Sequence, residues 1–356
     1  MNDRGLNPSH RSAYALVPAT SVSEDNLIKF AVALGLDRAS YDRFLSSWWG
    51  RAEPHCAVAA VHQGTGTMVG LCGGRPCEWS ISGQTHSSVA ICDWYVAPNH
   101  GGKLLGKRMI QHFQRPDRML YAISISATAI AYLRRLGWVG PYASWLMVAP
   151  LPRLAGAAFS FLQRPGDLDF SDHVIGGGTP LGPLAVDLDR IESRRTRRSL
   201  DHMQRGSKEW SWRLSVCGNH SYHFCIARKA GEALGYVVVR RLESGRVRVL
   251  GKSAAAVITD LVAVDDDAVV LRALTRSALA IAGELRTVAA FTITTNPAHR
   301  RALAASGFVS PALPLIGRVL RRRSPVFMWL PNGPAALLKA DGMALTFADA
   351  AIDFDL

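Results

Sequence analysis

Apolar and polar positions follow one order of periods in two separate stretches of the chain. In the first stretch, alternation with period two predicts strands near Cys56–His62, Met68–Cys72 and Ser88–Ala97. Leu104, Leu105, Met109, Ile110 and Phe113 then recur near the helical period and predict a helix over about Lys103–Phe113. The continuous apolar run Leu120–Ser124 reads as a buried strand. A short helix, Ala127–Leu136, follows it and is stopped by Gly137, where a left-handed cap belongs. The second stretch predicts strands at Tyr222–Ala227, Leu234–Arg240 and Ala256–Val264, then a helix over about Ala268–Leu285. A strand at Val288–Thr294 and a helix from Pro297 to Ser306, closed by Gly307, complete it. Pro297 suits a first helical position because it has no amide to leave unpaired.

The two stretches also agree in position. Met68-Val69-Gly70 corresponds to Ala233-Leu234-Gly235 at an offset of 165, and Cys92-Asp93-Trp94-Tyr95 to Thr259-Asp260-Leu261-Val262 at 167. Ser126 and Gly137-Trp138 correspond to Asn296 and Gly307-Phe308 at 170. A slowly growing offset is what a duplicated domain with small loop insertions produces; the alternative is a chance alignment of two α/β domains. Between the stretches, RPGDLDFSDHVIGGGTPLGPL is rich in Gly and Pro with little periodicity and reads as a connector. The expected organisation is an N-terminal domain over 1–163, a linker over 164–186, a C-terminal domain over 187–332 and a tail over 333–356. The expected fold class is α/β (α+β), each domain a mixed central sheet flanked by helices. The tail ADGMALTFADAAIDFDL reads either as a final strand or as an interaction tail.

Composition narrows the class. A length of 356 residues suits two domains, and 48% hydrophobic against 19% charged residues excludes wholesale disorder. No apolar run approaches the roughly 20 residues a membrane helix needs, and the first residues lack an apolar core followed by a cleavage site. Cys56, Cys72, Cys77, Cys92, Cys217 and Cys225 form no CxxC pair and lie mostly in strand-like runs, so reduced core thiols and a cytoplasmic location are expected. A net charge of +13 implies an anionic partner without choosing between nucleic acid, anionic lipid and a phosphorylated cofactor or substrate. Arg190, Arg194, Arg195, Arg197 and Arg198 supply much of the excess and read as a solvated helix face.

The segment DWYVAPNHGGKLLGKRMI (Asp93–Ile110) resembles the fourth strand, pyrophosphate loop and following helix of the GNAT, or N-acetyltransferase, superfamily. SATAIAYLRRLGW (Ser126–Trp138) and NPAHRRALAASGF (Asn296–Phe308) resemble its next helix, which usually begins at Asn and ends at Gly-Phe. Trp212-Arg213 followed by Gly235-Tyr236 resembles a subset of two-domain members associated with bacterial polysaccharide and cell-surface glycan synthesis. Two tandem GNAT-like domains are what the resemblance implies.

A strand that turns at once into a helix leaves several amides without intrahelical partners; with the helix dipole they form an anion site suited to the CoA pyrophosphate. The family reads Arg/Gln-x-x-Gly-x-Gly/Ala there, whereas this chain has Gly101, Gly102, Lys103, Leu104, Leu105 and Gly106. The Arg/Gln place is thus Gly101 and the central glycine Leu104, with Lys103, Lys107 and Arg108 supplying positive charge. The resemblance implies acetyl-CoA or another acyl-CoA as cofactor. It would be held by Tyr95, Val96, His100, Gly101, Gly102, Lys103, Leu104, Leu105, Gly106, Lys107 and Ser126. The matching second-half loop carries Asp265, Asp266 and Asp267, which complement a helix start but repel a pyrophosphate.

Acyl transfer from a thioester to an amine needs an uncharged amine, an oxyanion donor and a proton for the leaving thiolate. Asp93 is the candidate base or amine anchor. The family's Tyr acid falls on Leu133, with Tyr132 adjacent but about 100° round the helix. His220 and His223 would face opposite sides of a strand, so no metal is expected. Trp48, Trp49, Trp210 and Trp212 precede each domain's first clear strand as packing or as a sugar platform. The expected activity is acyl-CoA-dependent N-acyl transfer to a small amine such as an amino sugar. Aminoacyl-tRNA-dependent transfer of the peptidoglycan-bridge type and an inactive binding module are the alternatives.

Overall fold

The computed structural model describes residues 13–35, 57–101, 104–123, 125–151, 167–196, 201–216, 220–243, 250–310, 326–338 and 343–346. Among the described residues the strands form two sheets, of nine and six strands, flanked by helices. The chain divides into two compact units: Met1–Pro76 with Val89–Pro116, and Cys77–Ser88 with Asp117–Leu356.

In the first unit β1 (Tyr14–Pro18) leads into α1 (Glu24–Ala33), whose first turn is capped by Ser23 Oγ accepting from the Asn26 amide. β2 (Ala57–His62), β3 (Thr67–Ile81) and β4 (Gln84–Val96) follow, β3 as far as Pro76 and β4 from Val89 belonging to this unit, and then α2 (Leu105–Phe113). β1 and β3 flank β2 in antiparallel register, Tyr14 opposite His62 and Val58 opposite Cys72. Leu27, Phe30 and Ala31 of α1 pack with Ala59, Met68 and Leu71, while α2 buries Leu105, Met109, Ile110 and Phe113. The spacing of those four residues is the amphipathic stripe expected of this helix.

The second unit begins with β5 (Met119–Ile123), α3 (Ala127–Arg135), β6 (Val139–Ala143), β7 (Trp145–Pro150) and β8 (Asp169–Gly176). Next come α4 (Leu184–Thr196), β9 (Asp201–Met203), α5 (Ser207–Val216), β10 (Ser221–Lys229), β11 (Glu232–Leu242) and β12 (Ala255–Ala263). α6 (Ala268–Glu284), β13 (Ala289–Thr294), α7 (Pro297–Ala305), β14 (Val326–Leu330) and β15 (Met343–Ala344) complete it. The six-stranded sheet runs β7-β13-β12-β11-β10-β8. β14 lies antiparallel between β5 and β6, so strands from distant parts of the sequence share one ladder.

Several expectations change. Asp169–Gly176, expected within a connector, is an edge strand antiparallel to β10; only Ile175 is buried in it, which explains the missing apolar alternation. Leu184 opens α4, inside the expected linker. Arg195, expected on a solvated face, is buried with Glu192 Oε2 at 3.2 Å, and Arg194 pairs with Glu232 at 2.8 Å. Arg197, Arg198, Trp48, Trp49, Cys56 and Cys217 lie outside the described residues. Cys72, Cys77, Cys92 and Cys225 are reduced and in no disulfide. Trp210 is fully buried on Tyr222 and Phe224, core packing and not a sugar platform. Of the tail, Met343–Ala344 forms a short strand parallel to β9. Among the described residues no helix is long and apolar enough to cross a membrane.

Candidate functional site

In the first unit a strand, a turn and a helix carry most of the residues expected at the site. Asp93 sits within β4 at φ 45°, a left-handed conformation that interrupts the pleat. Trp94, Tyr95 and Val96 follow, half-buried, and the Ala97 amide donates to the Val69 carbonyl at 2.9 Å. The chain turns through Pro98–His100, passes Gly101, and enters α2 from Leu104, which is exposed at φ 58°. Gly102 and Lys103 lie outside the described residues.

Arg108 is the first residue of α2 whose amide finds an intrahelical acceptor, the Leu104 carbonyl at 3.0 Å. The amides of Leu105, Gly106 and Lys107 therefore head the helix. Among the described residues no side chain caps them and the first turn carries no acid. Half-buried Lys107 and Arg108 add positive charge. Arg108 Nη2 donates to the Tyr14 carbonyl at 3.3 Å, and the Tyr14 hydroxyl meets His100 Nδ1 at 3.0 Å. Uncapped amides, a helix dipole and cations at one end of a helix fit an anion such as a pyrophosphate. Leu105 is buried and contributes its amide rather than its side chain. Gly106 packs against Trp94: a Cβ there would stand 2.7 Å from Cζ2 of the indole. Its absence of side chain thus serves helix–strand contact, whereas Gly101 has only the Pro98 carbonyl at 3.4 Å.

Asp93 faces groups the sequence did not single out. Burial, then the Asp93 charge, holds the Cys72 and Cys92 thiols far above the ordinary range, so both stay protonated. Arg75 partly offsets this at Cys92. Arg75 and Arg240 are both buried and stand at the same 165 offset as the glycines of β3 and β11, a correspondence legible in the sequence.

The corresponding turn of the second unit, Val264–Asp266, has the same outline and the opposite chemistry. Asp267 Oδ1 caps α6 by accepting from the Val269 and Val270 amides at 2.7 and 3.0 Å. Asp266 accepts from Asn296 Nδ2 at 2.8 Å and meets His299 Nε2 at 3.2 Å. Burial alone would raise its pKa; the hydrogen bond and charge of His299, with Asn296, bring it below the usual carboxylate range. The place of a bound anion is taken by the protein's own carboxylates. Asp260, the counterpart of Asp93, is fully buried, with Arg205 Nη1 at 2.8 Å and the Tyr236 hydroxyl at 2.8 Å. Of the glycan-subset motif, Arg213 is buried against Glu209 at 3.1 Å, and Tyr236 is bound to Asp260; both are core.

Also in the second unit, Ser126 caps α3, its Oγ accepting from the Ala129 amide at 3.2 Å as Asn296 Oδ1 accepts from Ala298 on α7. Gly137 (φ 85°) and Gly307 (φ 90°) end the two helices, and the next amides, Trp138 and Phe308, bond back to Leu133 and Leu303. Leu133 is buried and Tyr132 half-buried beside it.

Residues 26–138 match the model of the acetyltransferase (GNAT) family. Solved structures share the fold at low identity. A GCN5-related N-acetyltransferase from Kribbella flavida aligns with TM-score 0.55 and 15% identity over 91% of this chain and 72% of its own. One from Anabaena variabilis ATCC 29413 aligns with TM-score 0.53 and 11% identity, over 89% and 72%. Saccharomyces cerevisiae N-myristoyltransferase with bound myristoyl-CoA aligns with TM-score 0.51 and 11% identity, over 92% and 85%. No curated protein matches by sequence.

Proposed function

We propose that the chain is an acyl-CoA-dependent N-acyltransferase, acetyl-CoA being the first donor to test, acting on a small amine such as an amino sugar in glycan assembly. In this reading it consists of two tandem GNAT-like domains, over 1–163 and 187–332. The first holds the donor and the second is a non-catalytic partner that shapes acceptor binding. The observation that carries it is the contrast between two like turns: uncapped amides with Lys107 and Arg108 at α2, self-capped carboxylates at α6.

A bound acyl-CoA would supply the thioester, and the residues do the rest. The amides of Leu105, Gly106 and Lys107, with His100 and Lys107, anchor the pyrophosphate, with Gly101 and Leu104 beside it; Gly102 and Lys103 complete the expected donor set and lie outside the described residues. Tyr95 and Val96 on β4 line the arm, and Ser126 is a further expected contact of the donor. Asp93 anchors the amine and takes its proton as nitrogen attacks the thioester carbon. Tyr132 gives a proton to the sulfur as the C–S bond breaks. Reduced cysteines at Cys72, Cys77, Cys92 and Cys225 support a reducing, cytoplasmic setting. Calorimetric titration of acetyl-CoA and CoA, repeated with Gly106→Trp, tests the reading. Saturable binding lost in the variant supports it, and no binding at millimolar ligand overturns it.

A further inference from the structure

β12 and β13 begin as a parallel pair, Ala256 opposite Ala290 and Val257 opposite Phe291. Their register ends there, although β12 runs on to Ala263 and β13 to Thr294. The opening is filled from within the chain by Met343–Thr346, each residue of which is 2–3% exposed.

Both walls hold this segment, and largely by its backbone. On the β12 side the Thr346 hydroxyl donates to Asp260 Oδ1 at 2.9 Å. Just beyond β13, the Leu345 amide donates to Thr295 Oγ1 at 2.9 Å and the Thr295 amide donates to the Leu345 carbonyl at 3.2 Å. Thr295 Oγ1 in turn donates to the Met343 carbonyl at 2.7 Å. Arg205 bridges segment and wall, its Nη2 donating to the Ala344 carbonyl at 3.3 Å and its Nη1 to Asp260 Oδ1 at 2.8 Å. Met343 and Ala344 also pair in parallel with Asp201 and His202. Backbone groups read on two sides, with small or apolar side chains buried between, are the chemistry of extended-peptide recognition.

We propose that the gap between β12 and β13 is a peptide-binding cleft, and that Met343–Thr346 is its resident ligand. The class it takes is an extended polypeptide segment with apolar side chains followed by a hydroxyl. Arg205, Thr295 and Asp260 are the reading groups. The inference is independent of donor binding in the first domain, which is titrated separately with acetyl-CoA.

A tethered occupant competes at an effective concentration of about millimolar, so a free peptide meets a blocked cleft in the parent chain. Leu345→Asp in the full-length chain sets a carboxylate in a buried position of the segment and leaves every cleft residue unchanged. A labelled peptide of residues 340–348 is expected to bind this variant saturably, about tenfold or more tighter than it binds the parent, with a Thr346→Val peptide weaker. Equal binding to parent and variant, or none to either, overturns the cleft. Where circular dichroism shows that Leu345→Asp does not fold, full-length Thr346→Val is measured by hydrogen exchange. Exchange of the Leu345 amide about tenfold faster than in the parent supports the cleft, and an unchanged rate overturns it.

Discussion

Gly106 and Trp94 lie so close that a single methyl group on the helix would meet the indole of the strand at 2.7 Å. The first turn of α2 is positioned by that contact, and where its amides point depends on where the turn sits. Gly106→Ala is therefore expected to cost about 1–3 kcal/mol of stability as the indole or helix shifts. It should also weaken acetyl-CoA about tenfold. Trp94→Ala in the same chain removes the obstruction, and recovery of affinity in the double variant by calorimetry identifies the contact. A double variant no better than Gly106→Ala assigns the loss to the glycine backbone instead.

His100 closes the turn before α2 and is held by the Tyr14 hydroxyl at 3.0 Å. His100→Ala and Lys107→Ala should each raise the Kd for CoA by about three- to tenfold at low salt. The Lys107 effect should shrink toward parity near 0.5 M salt, since a charge that is only half-buried is still screened. The same loss at every ionic strength would mean that Lys107 acts by packing.

Asp266 satisfies Asn296 and His299, both buried. Asp266→Ala leaves two buried polar groups without their acceptor and should destabilise by about 1–3 kcal/mol in urea unfolding. Acetyl-CoA should still bind at one per chain, with unchanged affinity. A second equivalent of bound CoA would show that the acid, and not the whole turn, had closed that site.

Asp93 is the group offered as base. Asp93→Asn should lower kcat about a hundredfold or more while leaving the KM for acetyl-CoA within about threefold, and should remove the acidic limb of the pH–rate profile. A fall in donor affinity with kcat intact would make it a structural bulge residue.

How much of this was legible depends on whether the cause is local. The caps of α3 and α7 are local: Ser126 and Asn296 begin the helices, Gly137 and Gly307 end them, and both ends follow from backbone geometry that a few residues determine. The acid-filled turn at Asp265–Asp267 is local too. β14 is not, because its register with Tyr121 and Tyr142 joins strands nearly two hundred residues apart, and periodicity carries no information about a partner. β8 escaped for another reason: its ladder with β10 supplies hydrogen bonds that polar Asp169, Ser171, Asp172 and His173 do not advertise. The Tyr14–His100 contact spans 86 residues and had no signal. Duplication offers one for Arg75 and Arg240, which stand at the same 165 offset as Gly70 and Gly235.

Glu192 provides a test of the second unit that needs no ligand. Its carboxylate meets His202 Nε2 at 2.7 Å and Arg195 Nη1 at 3.2 Å, and accepts from the Arg205 amide at 3.0 Å. Burial pushes its pKa up, but Arg195 and the hydrogen bond from His202 outweigh burial and bring it down to about 2 from 4.5. A carboxylate with a depressed folded pKa contributes stability that is complete above its unfolded pKa and is lost as pH falls toward the folded one. The parent should lose up to about 3 kcal/mol between pH 4.5 and 2 on this account. Glu192→Gln should be less stable at pH 7, because Arg195 and His202 lose their acceptor charge, yet show a flatter slope through the acid window. Urea unfolding followed by circular dichroism across that range distinguishes the cases: parallel curves for parent and variant would mean that the charge of Glu192 does not hold α4 to β9.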